Sequence, residues 1–355
     1  MTVIGVKFGR ESVITLLGTW LVQFIALPLL LFACSGDIGS EMPSVTSDTR
    51  DAVEIMADKS PTRASSTYVN ASDFRYHSRI GVFAYYTGSA SWTESALPNF
   101  MYNQMTERNY VGTWNYSPVK YWPNSQDDKL TFFAYYPYGG DGITIVGSNA
   151  TAGLPSFAFK VQEQSRSQVD LMLSDLVKNE MHVTGESITP VSQKVVLHFT
   201  HALSQIVLRV VDENDVALPF TATISGWYDE GICSYDGETD EGLSWSDCTK
   251  GGTIFTTVGA ENANERVMLL IPGNLRGAGM DALLKFRYTY QGIGFDSEVC
   301  HLNATGTSTP SDPTDDLIEW SSGRTYIYTY HVTHSGNALS VAVNPWYQAG
   351  MVFSN

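Results

Sequence analysis

The hydrophobic pattern begins with a long uncharged run near the N-terminus. No charged residue occurs between Val13 and Ala33, and Lys7 and Arg10 precede this run. A run of about twenty apolar residues is long enough to cross a membrane once. It ends at Cys34, after which the sequence turns polar at once. This order of features is typical of an export signal.

The cysteine at the end of the run specifies the kind of signal. A small residue directly before a cysteine, after a long apolar run, is the pattern read by lipoprotein signal peptidase. We therefore expect residues 1–33 to be a lipoprotein signal peptide and Cys34 to carry the lipid. An uncleaved signal anchor and an ordinary secretory peptide cut nearby are the two other interpretations.

Beyond the leader, the pattern is that of short β-strands at close spacing. Segments rich in β-branched and aromatic residues are separated by Gly, Pro and Asn. The longest strand candidates are residues 80–86, 129–137, 195–211, 283–290 and 323–332. Such spacing predicts an antiparallel all-β sandwich with almost no helix, and short helices are conceivable only around 174–178 and 202–206. Residues 195–211 are apolar on both faces, which predicts a central strand.

Residues 34–67 form a polar, Ser/Thr/Asp-rich segment between the leader and the first strong strand. Such a composition predicts a tether. Within it, Val53, Ile55 and Ala57 occupy alternate positions of residues 51–57. This alternation is a weak strand signal.

The strand candidates fall into two groups. After the leader about 320 residues remain, which is enough for two ordinary domains. Turn residues around Gly185 and Pro190 separate the groups. We therefore predict an N-terminal β-sandwich domain over residues 68–190 and a C-terminal one over residues 191–355.

Net charge limits the classes of molecule that the protein is expected to bind, and composition supports the predicted fold class. The formal net charge is −16, and an acidic surface repels nucleic acid, so nucleic-acid binding is not expected. The chain has 19 Tyr, 16 Phe and 8 Trp, a bias that favours strands over helices.

Sequence motifs give no support for an enzyme. The sequence contains neither Gly-x-Ser-x-Gly nor His-Glu-x-x-His. His198 and His201 are three residues apart in one predicted strand, so their side chains point to opposite faces and cannot chelate one metal ion. We expect His201 to hydrogen-bond inside the core. No catalytic residue, metal site or cofactor is predicted.

Acidic pairs and tryptophans leave alternatives open. The pairs at 127–128, 240–241 and 315–316 are interpreted as solvated turns, with a calcium loop or a glycosidase pair as the alternatives. Five tryptophans are interpreted as core residues, with sugar stacking as the alternative: Trp92, Trp114, Trp122, Trp227 and Trp245.

Three cysteines follow Cys34. Cys233 and Cys248 flank the turn-rich stretch 234–242, so a disulfide across a hairpin is one arrangement in an oxidising compartment. Three free thiols, including Cys300, are the other. No cysteine spacing suits zinc.

Seven segments, in this order, resemble the fimbrillin family of Bacteroidetes surface lipoproteins. They are 81–86 (GVFAYY), 100–103 (FMYN), 116–123 (YSPVKYWP), 130–137 (LTFFAYYP), 196–203 (VLHFTHAL), 269–272 (LLIP) and 320–328 (WSSGRTYIY). The resemblance implies two tandem transthyretin-like β-sandwich domains. It also implies a structural or adhesive subunit of surface fimbriae, located at the outer membrane and bound to other fimbrial subunits. A host or bacterial surface receptor is a further expected partner. A glycan-binding surface lipoprotein that does not polymerise is the alternative.

The resemblance also implies assembly by strand exchange. In many fimbrillins an N-terminal strand fills a groove until a protease removes it and a neighbour's strand replaces it. Here residues 51–57 would be that strand, and Arg63, in a Ser/Thr-rich stretch, would be the cleavage site for an Arg-specific protease. The donor would be the C-terminal region, in which Leu339, Val341 and Val343 alternate and which also contains the apolar residues 351–353 (MVF). The alternative is that 51–57 is only linker.

Overall fold

The computed structural model describes residues 51–59, 74–182, 193–237, 242–258, 264–277, 279–302 and 319–346. This part of the chain consists of strands and one short 3-10 turn, Ser165–Ser167, with no α-helix. The all-β prediction is confirmed, and the two short helix candidates are wrong. No helix that is long and apolar enough to span a membrane occurs among the described residues.

In the described stretches, ten strands precede position 202. They are β1 (Glu54–Lys59), β2 (Arg79–Tyr86), β3 (Met101–Arg108), β4 (Trp114–Asn115), β5 (Lys129–Tyr136), β6 (Ile143–Val146), β7 (Ser156–Lys160), β8 (Met172–Ser174), β9 (Val177–Met181) and β10 (Lys194–His201).

The remaining described strands complete the fold. They are β11 (Ser204–Val211), β12 (Phe220–Ser225), β13 (Glu230–Tyr235), β14 (Leu243–Thr249), β15 (Phe255–Thr256), β16 (Arg266–Leu270), β17 (Gly273–Asn274), β18 (Leu283–Tyr290), β19 (Ile293–Asp296), β20 (Cys300–His301), β21 (Glu319–Trp320), β22 (Arg324–His331) and β23 (Ala338–Pro345).

The largest sheet has the order β1-β10-β8-β5-β2-β3-β4, with β9 also paired to β5. Its central strands β2 and β5 are buried on both faces. In β2, Val82 and Ala84 face one core, whereas Phe83 and Tyr85 face another. A strand covered on both faces needs apolar residues at every position, and this explains the continuous apolar run of β2.

This sheet separates two hydrophobic cores. The smaller core lies against one face and is closed by residues of β1 and β10, including Ile55, Val195 and Leu197. The larger core begins on the other face and extends through β7, β11, β12, β16, β18 and β22. The smaller core therefore depends on the N-terminal strand, and the larger one does not.

Strands from the second half of the chain take part in four further sheets of the described fold. One has the order β16-β11-β22-β23, and a second has the order β15-β12-β18-β19 with β20 paired to β18. A third, β14-β13-β7-β6, joins strands from both sides of position 190, and β17 pairs with β21.

The single strand predicted over 195–211 is wrong, because the chain changes sheets in its middle. Strand β10 ends at His201, and β11 begins at Ser204 in a different sheet. Between them, the Ala202 N–H donates to the Leu171 carbonyl oxygen over 2.8 Å. Strand β10 is buried at alternate positions and β11 at nearly all of them, but no Gly or Pro between the two marks the change in the sequence. The central position of the second segment is correct, because β11 lies between β16 and β22.

Hydrogen bonding crosses the predicted domain boundary at Pro190. Strand β10, which follows that position, pairs with β8 and β1, and β13 pairs with β7. The division into domains over 68–190 and 191–355 stays a prediction.

Candidate functional site

Strand β1 is the element that sequence reasoning singled out and that the structure places in a groove. Val53, Ile55 and Ala57 are 1%, 4% and 1% exposed, whereas Glu54 between them is exposed. The alternation therefore marks a real strand with one face in the smaller core. The prediction of a strand within 51–57 is confirmed, with bounds Glu54–Lys59.

On one side, β1 pairs with β10 in parallel. Ile55 is in register with Val195, and Ala57 is in register with Leu197. On the outward face, the Glu54 carboxylate lies 3.4 Å from the Lys194 ammonium group. Exposed ion pairs contribute little to stability, so the pairing rests mainly on the backbone and the buried side chains.

On its other side, the N-terminal end of this segment contacts the chain that follows β4. The Val53 N–H donates to the Lys120 carbonyl oxygen over 2.9 Å, and the Trp122 N–H donates to the Asp51 carbonyl oxygen over 3.0 Å. Strands β1 and β4 are the two ends of the large sheet. Residues 51–59 therefore join the two ends and close the sheet around the smaller core.

Side chains fix the same end of the segment. The Tyr116 hydroxyl donates to the Val53 carbonyl oxygen over 2.7 Å. Burial raises the pKa of the Tyr116 phenol to about 12, so this donor stays protonated. The His182 Nε2 atom is hydrogen-bonded to the Asp51 carboxylate over 2.9 Å, and its ring stacks on Trp122. Sequence reasoning did not assign these contacts, although Tyr116 and Trp122 lie in a segment that carries the family resemblance.

The energetics of the groove follow from these contacts. Full burial of a Val or Ile side chain contributes about 1.5–3 kcal/mol. A groove without β1 would expose the apolar positions facing Val53 and Ile55, together with the backbone groups of β10 that β1 satisfies. Unpaired strand edges bind another strand readily. The site can therefore accept an extended peptide with apolar residues at alternate positions.

Two predicted site residues, Cys34 and Arg63, lie outside the described residues. Strand β1 ends at Lys59, and the described chain resumes at Phe74. Every other described strand follows Arg63 in the sequence. A cut after Arg63 would leave β1 attached to the fold only by non-covalent contacts.

The predicted donor alternation is used within the subunit. Strand β23 pairs with β22 over eight residues, and Leu339 and Val341 pack against the larger core. Just beyond β23, the Trp346 ring stacks on His201 with centroids 3.7 Å apart. Val343 is 48% exposed. Residues 338–345 are therefore the subunit's own edge strand, and residues 351–353 lie outside the described part.

The histidines of β10 have structural partners. His201 is buried and hydrogen-bonded to Asp170 over 2.8 Å, as predicted for a core histidine. His198 is hydrogen-bonded to Asp175 over 3.1 Å. Within the described ranges, no group of three or more His, Cys, Asp or Glu side chains is arranged to hold a metal ion.

Among the tryptophans singled out, Trp114, Trp122 and Trp227 are buried, which agrees with core packing. Trp92 and Trp245 are only partly buried. Of the acidic pairs, only 127–128 is described, and Asp128 accepts a hydrogen bond from the Tyr86 hydroxyl. Cys233, Cys248 and Cys300 are free thiols.

Comparison with known proteins decides the family. The model of the family described as fimbrillin-like matches residues 62–346. The chain belongs to the fimbrillin-like family. The resemblance drawn from the seven sequence segments is thereby confirmed.

A curated relative and a solved structure agree with this assignment. Fimbrium subunit Fim1C of Phocaeicola vulgatus (strain ATCC 8482) is 28% identical over 246 residues, which cover 63% of this fimbrillin-like chain and 62% of that protein. The crystal structure of a fimbrial protein from Bacteroides vulgatus ATCC 8482 superimposes with a TM-score of 0.55 at 17% identity. That match covers 83% of this chain and 99% of the other, and it shows a shared fold.

Proposed function

We propose that this fimbrillin-like protein is a structural or adhesive subunit of surface fimbriae, assembled by exchange of strand β1. The observation that carries the proposal is the position of β1. It closes the large sheet and the smaller core, yet it is connected to the rest of the described fold only through the segment that contains Arg63. The family and the relative named fimbrium subunit support the fimbrial role.

The proposed route begins at the outer membrane. Lipid on Cys34 would hold the exported chain at the cell surface, with β1 in its groove. A cut after Arg63 by an Arg-specific protease would separate the lipidated tether and β1 from the fold. Such a subunit needs no catalytic centre, because strand pairing supplies the interaction.

The groove specifies the direction of the incoming strand. A donor that replaces β1 has to run parallel to β10 and to offer backbone groups to Lys120 and Trp122. It also needs apolar side chains at three alternate positions, to take the places of Val53, Ile55 and Ala57 in the smaller core. A strand of the opposite direction would not reproduce these hydrogen bonds.

The proposed donor is the chain beyond Trp346 of another subunit. Residues 338–345 already pair with β22, so their donation would break eight residues of pairing. Residues 347–355 would span about 30 Å when extended, at about 3.3 Å per residue. This segment is therefore longer than β1, which has six residues.

N-terminal sequencing of sheared filaments tests the cleavage. The expected filament-borne chain starts directly after Arg63, and Arg63→Ala should abolish ladders that resist mild SDS. Arg75→Ala is the matched control, because Arg75 is an exposed arginine that follows the start of the second described stretch at residue 74. Filament-borne protein that still begins at Cys34, or an Arg63→Ala protein that polymerises normally, would refute the route.

Lipidation is tested separately. Cys34→Ala should release the protein from the membrane fraction and stop incorporation of labelled palmitate. Continued labelling would show that the assignment of Cys34 is wrong. A wild-type protein that is lipidated but never forms ladders would favour the alternative, a surface glycan-binding lipoprotein that stays monomeric.

A further inference from the structure

A cleft of about 420 Å³ opens beside the pair β13–β14 and the short pair β17–β21. This volume lies within the range of about 300–1,000 Å³ that is typical of small-molecule sites. Its lining combines the rings of Tyr228, Trp245 and the buried Trp320 with hydroxyl and carboxylate groups. The residues that matter below are Tyr228, Trp245, Asp247, Glu319, Ser321 and Ser322. None of them belongs to the groove of β1.

The Trp245 ring is held rigidly at the wall of the cleft. Its indole N–H donates to the Ala202 carbonyl oxygen over 2.9 Å, and its edge packs against Phe159. The Ser322 hydroxyl donates to the same carbonyl oxygen over 3.0 Å. A ring whose rotamer is fixed in advance loses little entropy when a ligand stacks on it.

A β-bulge turns the neighbouring residues toward the cleft. The register between β13 and β14 shifts after Glu230, so that Gly231 faces both Asp247 and Cys248. A Cβ atom at Gly231 would lie only 2.9 Å from the Cys248 sulfur atom, so a larger residue there would displace the Cys248 side chain. Asp247 has a φ of 51°, in the left-handed region. Bulges often re-aim side chains next to functional sites.

The second ring is positioned by another glycine. A Cβ atom at Gly273 would lie 2.8 Å from the Tyr228 ring, so this ring lies directly on the backbone of β17. The Tyr228 ring also packs against the buried Trp227, with centroids 5.2 Å apart. On the rim, the Ser321 hydroxyl donates to the Glu319 carboxylate over 3.3 Å.

We propose that this cleft binds neutral saccharide units. Sugar rings present C–H groups with partial positive charge, which are attracted to the negative faces of aromatic rings. Their hydroxyl groups donate to carboxylates, and charged acceptors form the stronger hydrogen bonds. Asp247 and Glu319 are such acceptors, and no Lys or Arg lies among the described residues of the lining. Anionic sugars are therefore repelled.

Affinity gel electrophoresis of the purified, unassembled protein tests the proposal. The gels contain yeast mannan, dextran, laminarin or xyloglucan, with polygalacturonate as an anionic arm. At least one neutral polysaccharide is expected to retard the protein. Tyr228→Ala and Glu319→Gln should each weaken that binding at least tenfold, and Tyr228→Phe should retain most of it because the ring remains.

Two controls keep the result specific. Tyr110→Ala removes a ring that is 82% exposed on a distant loop, and Glu94→Gln removes an exposed carboxylate outside the cleft; both should bind as wild type does. The proposal is overturned if none of the four neutral polysaccharides retards the protein, or if the Glu319→Gln protein binds as wild type does. Binding to polygalacturonate alone would also overturn it. The assay needs no filament, so its result is independent of strand exchange.

Discussion

Among single residues, Val207 is one of the most sensitive to a charge. It is 3% exposed in β11, with β16 on one side and β22 on the other. The residues directly opposite it on these two strands, Val267 and Ile327, are both apolar. A carboxylate at this position would be surrounded by apolar groups and paired backbone.

Val207→Asp is therefore expected to destabilise the protein by about 3–5 kcal/mol, the range for leaving an unpaired charge buried. Val111→Asp is the control, because Val111 is 66% exposed, and surface changes usually stay within about 0.5 kcal/mol. Urea denaturation monitored by tryptophan fluorescence measures both. A Val207→Asp protein with the wild-type midpoint would contradict the central placement of β11.

The thiols provide a second test at this scale. Burial raises the pKa of the Cys233 thiol, and it also raises those of Cys248 and Cys300, which are less buried. Because the thiolate is the reactive form, Cys233 should resist a thiol reagent until the protein unfolds. Alkylation of the native protein followed by peptide mass spectrometry checks the order. A Cys233–Cys248 disulfide in the unreduced sample would refute it.

At the scale of elements, β1 and β23 are both end strands but are held differently. Strand β1 has backbone partners on both sides of its segment, from β10 and from residues 120–122. Among the described strands, β23 pairs with β22 alone, and it is followed by Trp346, which stacks on His201. The anchoring of β23 therefore depends strongly on one ring.

Trp346→Ala should accordingly increase amide exchange along β23 and leave β11 protected. Loss of a buried Trp costs about 3–5 kcal/mol, but here much of that loss falls on one edge strand. Hydrogen–deuterium exchange with mass spectrometry resolves the two strands. Val343→Ala, at an exposed position of β23, serves as the comparison and should change little. Equal deprotection of β11 and β23 would contradict local anchoring.

At the scale of the whole molecule, the large sheet lies between two cores that depend differently on the N-terminus. Val53, Ile55 and Ala57 belong to the smaller core, together with residues of β2, β5 and β10. The larger core contains no residue of β1. Loss of β1 should therefore destabilise mainly the smaller core, on one side of the sheet.

A chain that begins after Arg63 should show faster amide exchange in β10 and residues 120–122. Strands β11 and β22 should keep their protection, because neither contacts β1 through the sheet. A synthetic peptide of residues 51–59, added in excess, should restore the protection of β10. Uniform loss of protection in both cores would show that the N-terminal strand supports the whole fold.

The candidate site was predictable from sequence only in part. The alternation of Val53, Ile55 and Ala57 indicated a strand, because it reflects local burial of one face. The contacts of Tyr116 and His182 were not predictable, because they join residues far apart in the chain. Of the residues that line the proposed sugar cleft, only Trp245 was considered for sugar stacking from the sequence, as one of five tryptophans.

The sequence by itself determined the all-β class, the buried strands β2 and β5, and the family, because strand signals and family motifs are local in the chain. Only the tertiary structure decided which sheet each strand joins. The run over 195–211 is apolar for much of its length and contains no Gly or Pro, yet its two halves belong to two different sheets. Likewise, Leu339 and Val341 alternate as a donor strand would, yet they pair with β22. Apolar periodicity reports that a residue is buried, and the partner against which it is buried depends on non-local pairing.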